Sequence, residues 1–441
     1  MLTASVRFFH SPRRQKAESS AGSGRRVAAA ALGVVCLVVG LSGCEGAETG
    51  DVGRDLPVWT VEPELEVGTL DGDVVLGHVT TAQEGPDGTL HVIEWGQARI
   101  QRFGPDGTPL PSLGRAGSGP GEFNRPTSLG WDGEGLWVLD GGANRITWFE
   151  AGGSDASGRV IRSVVGEPVV LRADEATFRL GPPLGDGSFR ADRVVASSMV
   201  AEGSVTEAPI LRVDADQEPM DTLAIRTLAG QSVEVTEDRT QGAMYTTNPF
   251  PDVPIRQVIT GVPGRAAEVV LVDWTLEPEP VMQVVRRTLT GDTLAATSLP
   301  YEPVPVTEDL VMAHVDRIAR SYAESPFREI SPARARDLVR ESLDPPSHFA
   351  PVRTVHPGPD GSLWLELAHP DGHTRLDEGV PDRGLRWLVL DGSGEPQRLV
   401  ELPPAWSLQW VGPAHLWAVR TDELGVNYLV RARLVEAGPP D

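Results

Sequence analysis

Short stretches in which apolar and polar positions alternate recur along the chain, and each follows a tight turn built around glycine. Pro86-Asp87-Gly88-Thr89 leads into Leu90-His91-Val92, Asp132-Gly133-Glu134-Gly135 into Leu136-Trp137-Val138, and Gly185-Asp186-Gly187-Ser188 into Phe189. Pro359-Asp360-Gly361-Ser362 leads into Leu363-Trp364-Leu365, Gly412-Pro413-Ala414-His415 into Leu416-Trp417, and Pro263-Gly264-Arg265-Ala266 into Val269-Val270-Leu271. A glycine turn followed by period-two alternation is a hairpin pattern, because only the strand period puts every second side chain on one face. Six copies predict six units.

The clearest copies continue into a second hairpin, as at Ile100–Phe103 with Gly104-Pro105-Asp106-Gly107, at Ile146–Phe149, and at Trp387–Leu390 with Asp391-Gly392. Two hairpins in series make a four-stranded meander, and repeats of about 40 to 50 residues predict a β-propeller. The segment GPGEFNRPTSLGWDGEGLWVLDGGANRITWFE, residues 119–150, resembles an NHL repeat: a glycine-rich linker, Phe, Pro opening the inner strand, a glycine turn, an aromatic-Val-Asp strand end, then Asn-Arg-Ile and an aromatic. The resemblance is close over residues 78–150 and implies a six-bladed propeller without fixing an activity. The last unit lacks an outer strand and one spare strand, residues 57–67, precedes the first. The expectation is therefore an all-β, six-bladed propeller over 56–441, closed by its N-terminal strand, since an unpaired edge is an aggregation hazard.

One segment departs from the strand period. Leu310, Val311, His314, Val315, Ile318, Ala319 and Tyr322 recur at three- and four-residue spacing, predicting an amphipathic helix. A second helix is expected from Ser331-Pro332, a cap followed by proline at the first helical position, to before Pro345-Pro346. This two-helix insertion, about 307–343, falls between blades four and five. In an up-and-down meander that connection shares a rim with each blade's second turn, so the long turns 192–209 and 369–384 join it there. Elaboration on one rim marks the expected binding face.

Charge narrows the partners. The formal charge is −23, and residues 1–43 hold six basic groups against one acid, leaving 33 basic and 61 acidic residues, or −28, on the remainder. Phosphate backbones and anionic headgroups need a basic footprint, so nucleic acid is excluded as a partner. The single lysine is Lys16. Schiff-base chemistry therefore has no lysine in the body of the protein.

The N-terminus reads as a targeting segment. Arg25-Arg26 precede an uncharged run of fifteen residues, Val27–Leu41, too short to span a bilayer and long enough for a secretory signal. Leu41-Ser42-Gly43-Cys44 follows, and it resembles the lipobox of bacterial lipoproteins. The resemblance implies cleavage before Cys44 and acylation of that residue, giving a membrane-anchored lipoprotein of the cell envelope that faces the periplasm or exterior. Residues 1–43 would be the signal peptide and 44–55 a flexible tether. Cys36 lies in the removed part, so the mature chain would hold no free thiol for disulfides, nucleophilic catalysis or cysteine-ligated metals.

Catalytic motifs are sparse, and no catalytic residue is assigned. Gly117-Ser118-Gly119-Pro120-Gly121 lacks the lysine and helix of a phosphate loop and reads as a linker between blades. His369-Pro370-Asp371-Gly372-His373 combines two imidazoles and a carboxylate but is itself a turn; Asp214–Glu218 lacks the glycine and distal glutamate of a calcium loop. No metal ligand is therefore assigned. Four arginines, Arg125, Arg179, Arg256 and Arg353, fall near the start of their blades' first strands, by the channel mouth. Converging guanidiniums would form a ligand-binding site for a carboxylate or phosphate, or would pair with neighbouring acids as structural groups. Trp95, Trp137, Trp364 and Trp417 recur once per blade and are expected to pack between blades. The reading that follows is a binding or interaction module taking a protein, peptide, glycan or small anionic ligand. The alternatives are a hydrolase or lyase with a channel metal ion, which the architecture's gluconolactonase-like and amidating-lyase relatives imply, and a structural subunit of an envelope assembly.

Overall fold

The computed structural model describes residues 56–68, 74–133, 135–150, 159–166, 169–171, 176–236, 244–324, 330–368 and 384–437. Cys44, the segments 1–43 and 44–55, His369–His373 and the turn up to 383 lie outside them. The elements are almost all strands, and they form six successive four-stranded antiparallel blades. The blades span residues 79–113, 126–165, 176–227, 255–300, 352–401 and 406–436. Short two-residue pairings and the strand Val169–Leu171 decorate the linkers.

Closure is achieved as the strand count requires. Val58–Val67 pairs antiparallel with Asn427–Glu436, from Trp59 opposite Glu436 to Val67 opposite Leu429, and becomes the outer strand of blade six. Its first residues also pair in parallel with the outer strand of blade five, Val58 with Leu399 and Trp59 with Val400. Six separate apolar clusters fill the six seams between consecutive blades, the seam between blades six and one included. A six-bladed propeller is thus assembled from sheet faces alone.

Burial explains the sequence pattern. Second strands such as Leu90–Glu94 and Leu363–Leu367 are covered on both faces by neighbouring blades, so they read as almost continuous apolar runs. The outer strand Val160–Val165 alternates half-buried and exposed residues, as a sheet with one wet face should. Trp137, Trp364 and Trp417 are buried between blades, whereas Trp95 is 62% exposed. That corrects the expectation for Trp95. The position after the turn's leucine is filled in blade one by His91, and Trp95 lies four residues further on, in the next turn.

His91 is buried, donates from Nδ1 to the Thr89 carbonyl at 3.0 Å, and meets the Trp131 ring edge-on. Burial, reinforced by Arg102, lowers its pKa to about 4; burial does the same for His356, packed edge-on against Trp387, and for His314 together with Arg317. Unfolded histidine titrates near 6.5, so the unfolded chain takes up protons first as pH falls. Stability is full above about pH 6.5 and declines between there and about pH 4, by about 2 kcal/mol at pH 5 for His91 alone. Urea midpoints at pH 7.5 and pH 5 should show this loss, and His91→Gln should flatten the slope. An unchanged slope in that variant would contradict the assignment.

The helices form as the periodicity predicts. α1, Ser197–Ala201, lies in the second turn of blade three. α2, Glu308–Ala323, starts with the Thr307 side chain accepting from Leu310 N; α3, Pro332–Ser342, starts with Ser331 accepting from Arg334 N. Val311, His314, Val315, Ile318, Ala319 and Tyr322 form the buried stripe of α2, packed with Ala335, Leu338 and Val339 of α3 and with Phe250 and Phe349. Both helices connect blades four and five on the rim opposite the short glycine turns.

Candidate functional site

An acid ends the second strand in five blades, at Glu94, Asp140, Asp192, Asp273 and Glu366, and its use differs around the ring. In blade one Glu94 accepts from Gly77 N and from Gln101 Nε2, both at 2.5 Å. Asp140 in blade two is fully buried and accepts four backbone N–H groups, of Asn124, Arg125, Gly142 and Ala143, at 2.7 to 3.1 Å. In blades three to five the acid holds arginine instead. Asp192 binds Arg190 at 2.8 Å and lies 3.6 Å from Arg226, Asp273 binds Arg256 at 2.7 Å, and Glu366 lies 3.6 Å from Arg353.

Three of these guanidiniums converge. Arg226, Arg256 and Arg353 line one pocket of 370 Å³ on the elaborated rim over blades three to five, with Gln231 and Asn248 beside them. Its apolar walls are Pro249, Pro251, Pro254, Ile255 and Phe349. Four guanidiniums, Arg190 included, share three carboxylates in this network, so it carries an excess positive charge within an acidic molecule. The buried Arg226 Nε–H has no acceptor among the described residues. A desolvated donor left unpaired costs free energy.

The four arginines singled out in the sequence therefore part company. Arg256 and Arg353 share the pocket, each held by an acid of its own blade. Arg179 is exposed and makes no ion pair among the described residues. Arg125 is exposed, with its guanidinium 6.0 Å from the centre of the Trp95 ring. Neither of these two lines the pocket. Arg226 was missed because it lies near the end of an outer strand, and Gln231, Thr247, Asn248, Pro249 and Pro251 because they belong to a blade linker with no repeat to mark it. The available signal was its proline run, Pro249-Phe250-Pro251-Asp252-Val253-Pro254. α1, α2 and α3 add no lining side chain, because α2 and α3 spend their apolar stripes on Phe250 and Phe349, behind the pocket.

The opposite rim holds a larger cavity, 910 Å³, whose charged groups are satisfied within the protein. Glu268, 3% exposed, binds Arg286 at 2.8 Å and Arg265, and these arginines reach the Gly392, Gly358 and Ser362 carbonyls of blade five at 2.6, 3.2 and 3.1 Å. This is a clamp between blades. Gly261, at the end of the inner strand of blade four, accepts from Trp131 N of blade two at 2.9 Å and from Gln83 Nε2 of blade one at 3.1 Å. Its peptide thus stands across the channel near this rim. Its φ of +75° and the Trp137 ring, 2.6 Å from where a Cβ would lie, require glycine there.

Among the described residues, no three His, Cys, Asp or Glu side chains come close enough to hold a metal ion, and no helix is long and apolar enough to cross a membrane. No protein-family model and no curated protein matches the sequence. Solved structures resemble it at low identity. A member of the DUF4221 family from Bacteroides vulgatus matches at 9% identity and TM-score 0.46, covering 86% of this chain and 98% of that one. Virginiamycin B lyase from Staphylococcus aureus matches at 11% and 0.35, covering 84% and 99%, and the calcium-binding protein regucalcin from Agrobacterium tumefaciens at 9% and 0.37, covering 86% and 96%. At such identities the likeness concerns strand arrangement and extends to neither ligand nor activity.

Proposed function

We propose that this protein is a lipid-anchored binding module of the bacterial cell envelope, taking a small carboxylate-bearing ligand in the pocket over blades three to five. The convergence of Arg226, Arg256 and Arg353 on one pocket carries this reading, since a carboxylate can bridge neighbouring guanidiniums. The proline and Phe349 walls suit an apolar body behind the carboxylate. Benzoate should raise the melting temperature and benzamide should not, with the effect lost in Arg226→Gln and Arg353→Gln. Equal stabilisation by acid and amide, or full retention in both variants, would contradict it.

The anchor is the acylated Cys44 of the Leu41-Ser42-Gly43-Cys44 lipobox. Val58 lies at the short-turn rim, since Trp59 pairs with Glu436 at the far end of a strand that leaves the elaborated rim at Asn427. Cys44→Ser should abolish incorporation of an alkyne-tagged palmitate and release the protein from the membrane fraction; retained label would refute the anchor. The NHL character of the blades is supported by Asp140, whose strand-end carboxylate gathers four backbone N–H groups around the start of blade two.

A further inference from the structure

The elaborated rim carries a second feature, over blades six, one and two. Trp95 is 62% exposed, Val75 54% and Leu424 79%. The linker between blades six and one draws them together: Leu76 bridges to Asn427, Asn427 Nδ2 donates to Gly77 O at 2.6 Å, and Trp95 N donates to His78 O at 2.7 Å. Three large apolar side chains this exposed along one stretch of rim mark an interaction surface.

The acids and bases around them are engaged differently. Glu94 and Asp140 are buried and engaged as described above, and Asp422 Oδ1 accepts from Leu424 N and Val426 N at 2.9 and 2.8 Å. Glu423, exposed beside Leu424, marks the outer edge. Arg99, in the same turn as Trp95, and Arg125, with its guanidinium beside the Trp95 ring, are exposed, and neither forms an ion pair among the described residues. A tryptophan flanked by aliphatic groups and two outward guanidiniums, in a chain of formal charge −23, presents a local basic and apolar site.

We infer that this surface docks an acidic segment of a protein partner, which seats an aromatic or aliphatic side chain against Trp95, Val75 and Leu424 and places its carboxylates on Arg99 and Arg125. A glycan would stack on the indole but gain nothing from the two aliphatic side chains, so the protein partner is favoured. The inference is independent of the arginine pocket.

The test labels the protein with 5-fluorotryptophan and follows the ¹⁹F resonance that Trp95→Phe removes. Probes are a peptide rich in Asp and Glu carrying two leucines, its lysine counterpart, an acidic peptide without leucine, and an oligogalacturonate. The acidic leucine peptide should shift the Trp95 resonance, with affinity falling at least tenfold in Arg99→Glu/Arg125→Glu and staying within twofold in Arg226→Gln. Silence of the Trp95 resonance up to millimolar peptide, an equal response to the lysine peptide, or a response to the oligogalacturonate alone would overturn it.

Discussion

Removing residues 56–67 is expected to collapse the denaturation midpoint, whereas removing 45–55 should leave it where it was. The strand Val58–Val67 completes blade six through its ladder with Asn427–Glu436 and buries Val61 and Val67, with Trp59 packed against the same core. The two buried valines contribute roughly 1.5–3 kcal/mol each. Ion pairs add little at the surface, although Arg420–Glu66 at 2.8 Å ties the strand to blade six. Its loss would also bare two edges at once, those of Asn427–Glu436 and Pro396–Glu401, and so invite association. Urea titration of the two truncations, with light scattering to follow oligomers, decides the matter. Equal midpoints would contradict closure by this strand.

Glu268→Ala should be the most damaging single charge removal in the molecule, costing about 3–5 kcal/mol. One carboxylate there serves two guanidiniums that are themselves covered, with Arg286 at 7% and Arg265 at 11% side-chain exposure. Burial already holds the Arg265 guanidinium below its ordinary pKa, with Glu268 opposing the shift. Without Glu268, two like charges of blade four would be left side by side at its seam with blade five. Asp316→Ala, which removes an exposed ion pair between the helices, should change stability by no more than about 1 kcal/mol. Similar losses in the two variants would show that the clamp carries no special weight.

Much of the fold was legible because a propeller repeats its own pattern. The Gly-turn-strand copies marked each blade, the orphan strand before blade one announced closure, and the three- and four-residue spacing of Val311, His314, Val315 and Ile318 fixed α2. The site was less legible. Arg256 and Arg353 were reachable as inner-strand arginines, yet Arg125 and Arg179 satisfy the same rule and lie outside the pocket. What separates them is the strand-end acid, which binds backbone in blade two, Arg190 and Arg226 rather than Arg179 in blade three, and the inner-strand arginine in blades four and five. That choice depends on side-chain geometry between strands, which linear spacing does not carry. Arg226 lies near the end of an outer strand, and the wall residues Gln231, Thr247, Asn248, Pro249 and Pro251 belong to a linker, where no periodicity operates.

The seam between blades three and four explains why the pocket opens there. Among the described residues it is filled by four buried apolar side chains, Leu184, Ile210, Val258 and Val269, against nine or more in each other seam. The hairpin Ser232–Val235 with Met244–Thr247 grows from this linker, and the pocket forms beneath it. A thinly packed seam beside a decorated rim leaves room for a ligand that the tightly packed seams lack.

The most direct measurement is anomalous diffraction from crystals soaked in 4-bromobenzoate, because bromine locates the ligand independently of any binding assay. The result expected is a bromine peak among Pro249, Pro251 and Phe349, with the carboxylate lying among the guanidiniums of Arg226, Arg256 and Arg353. A peak confined to the short-turn rim or the outer strands, with no ligand density in this pocket, would contradict the proposal.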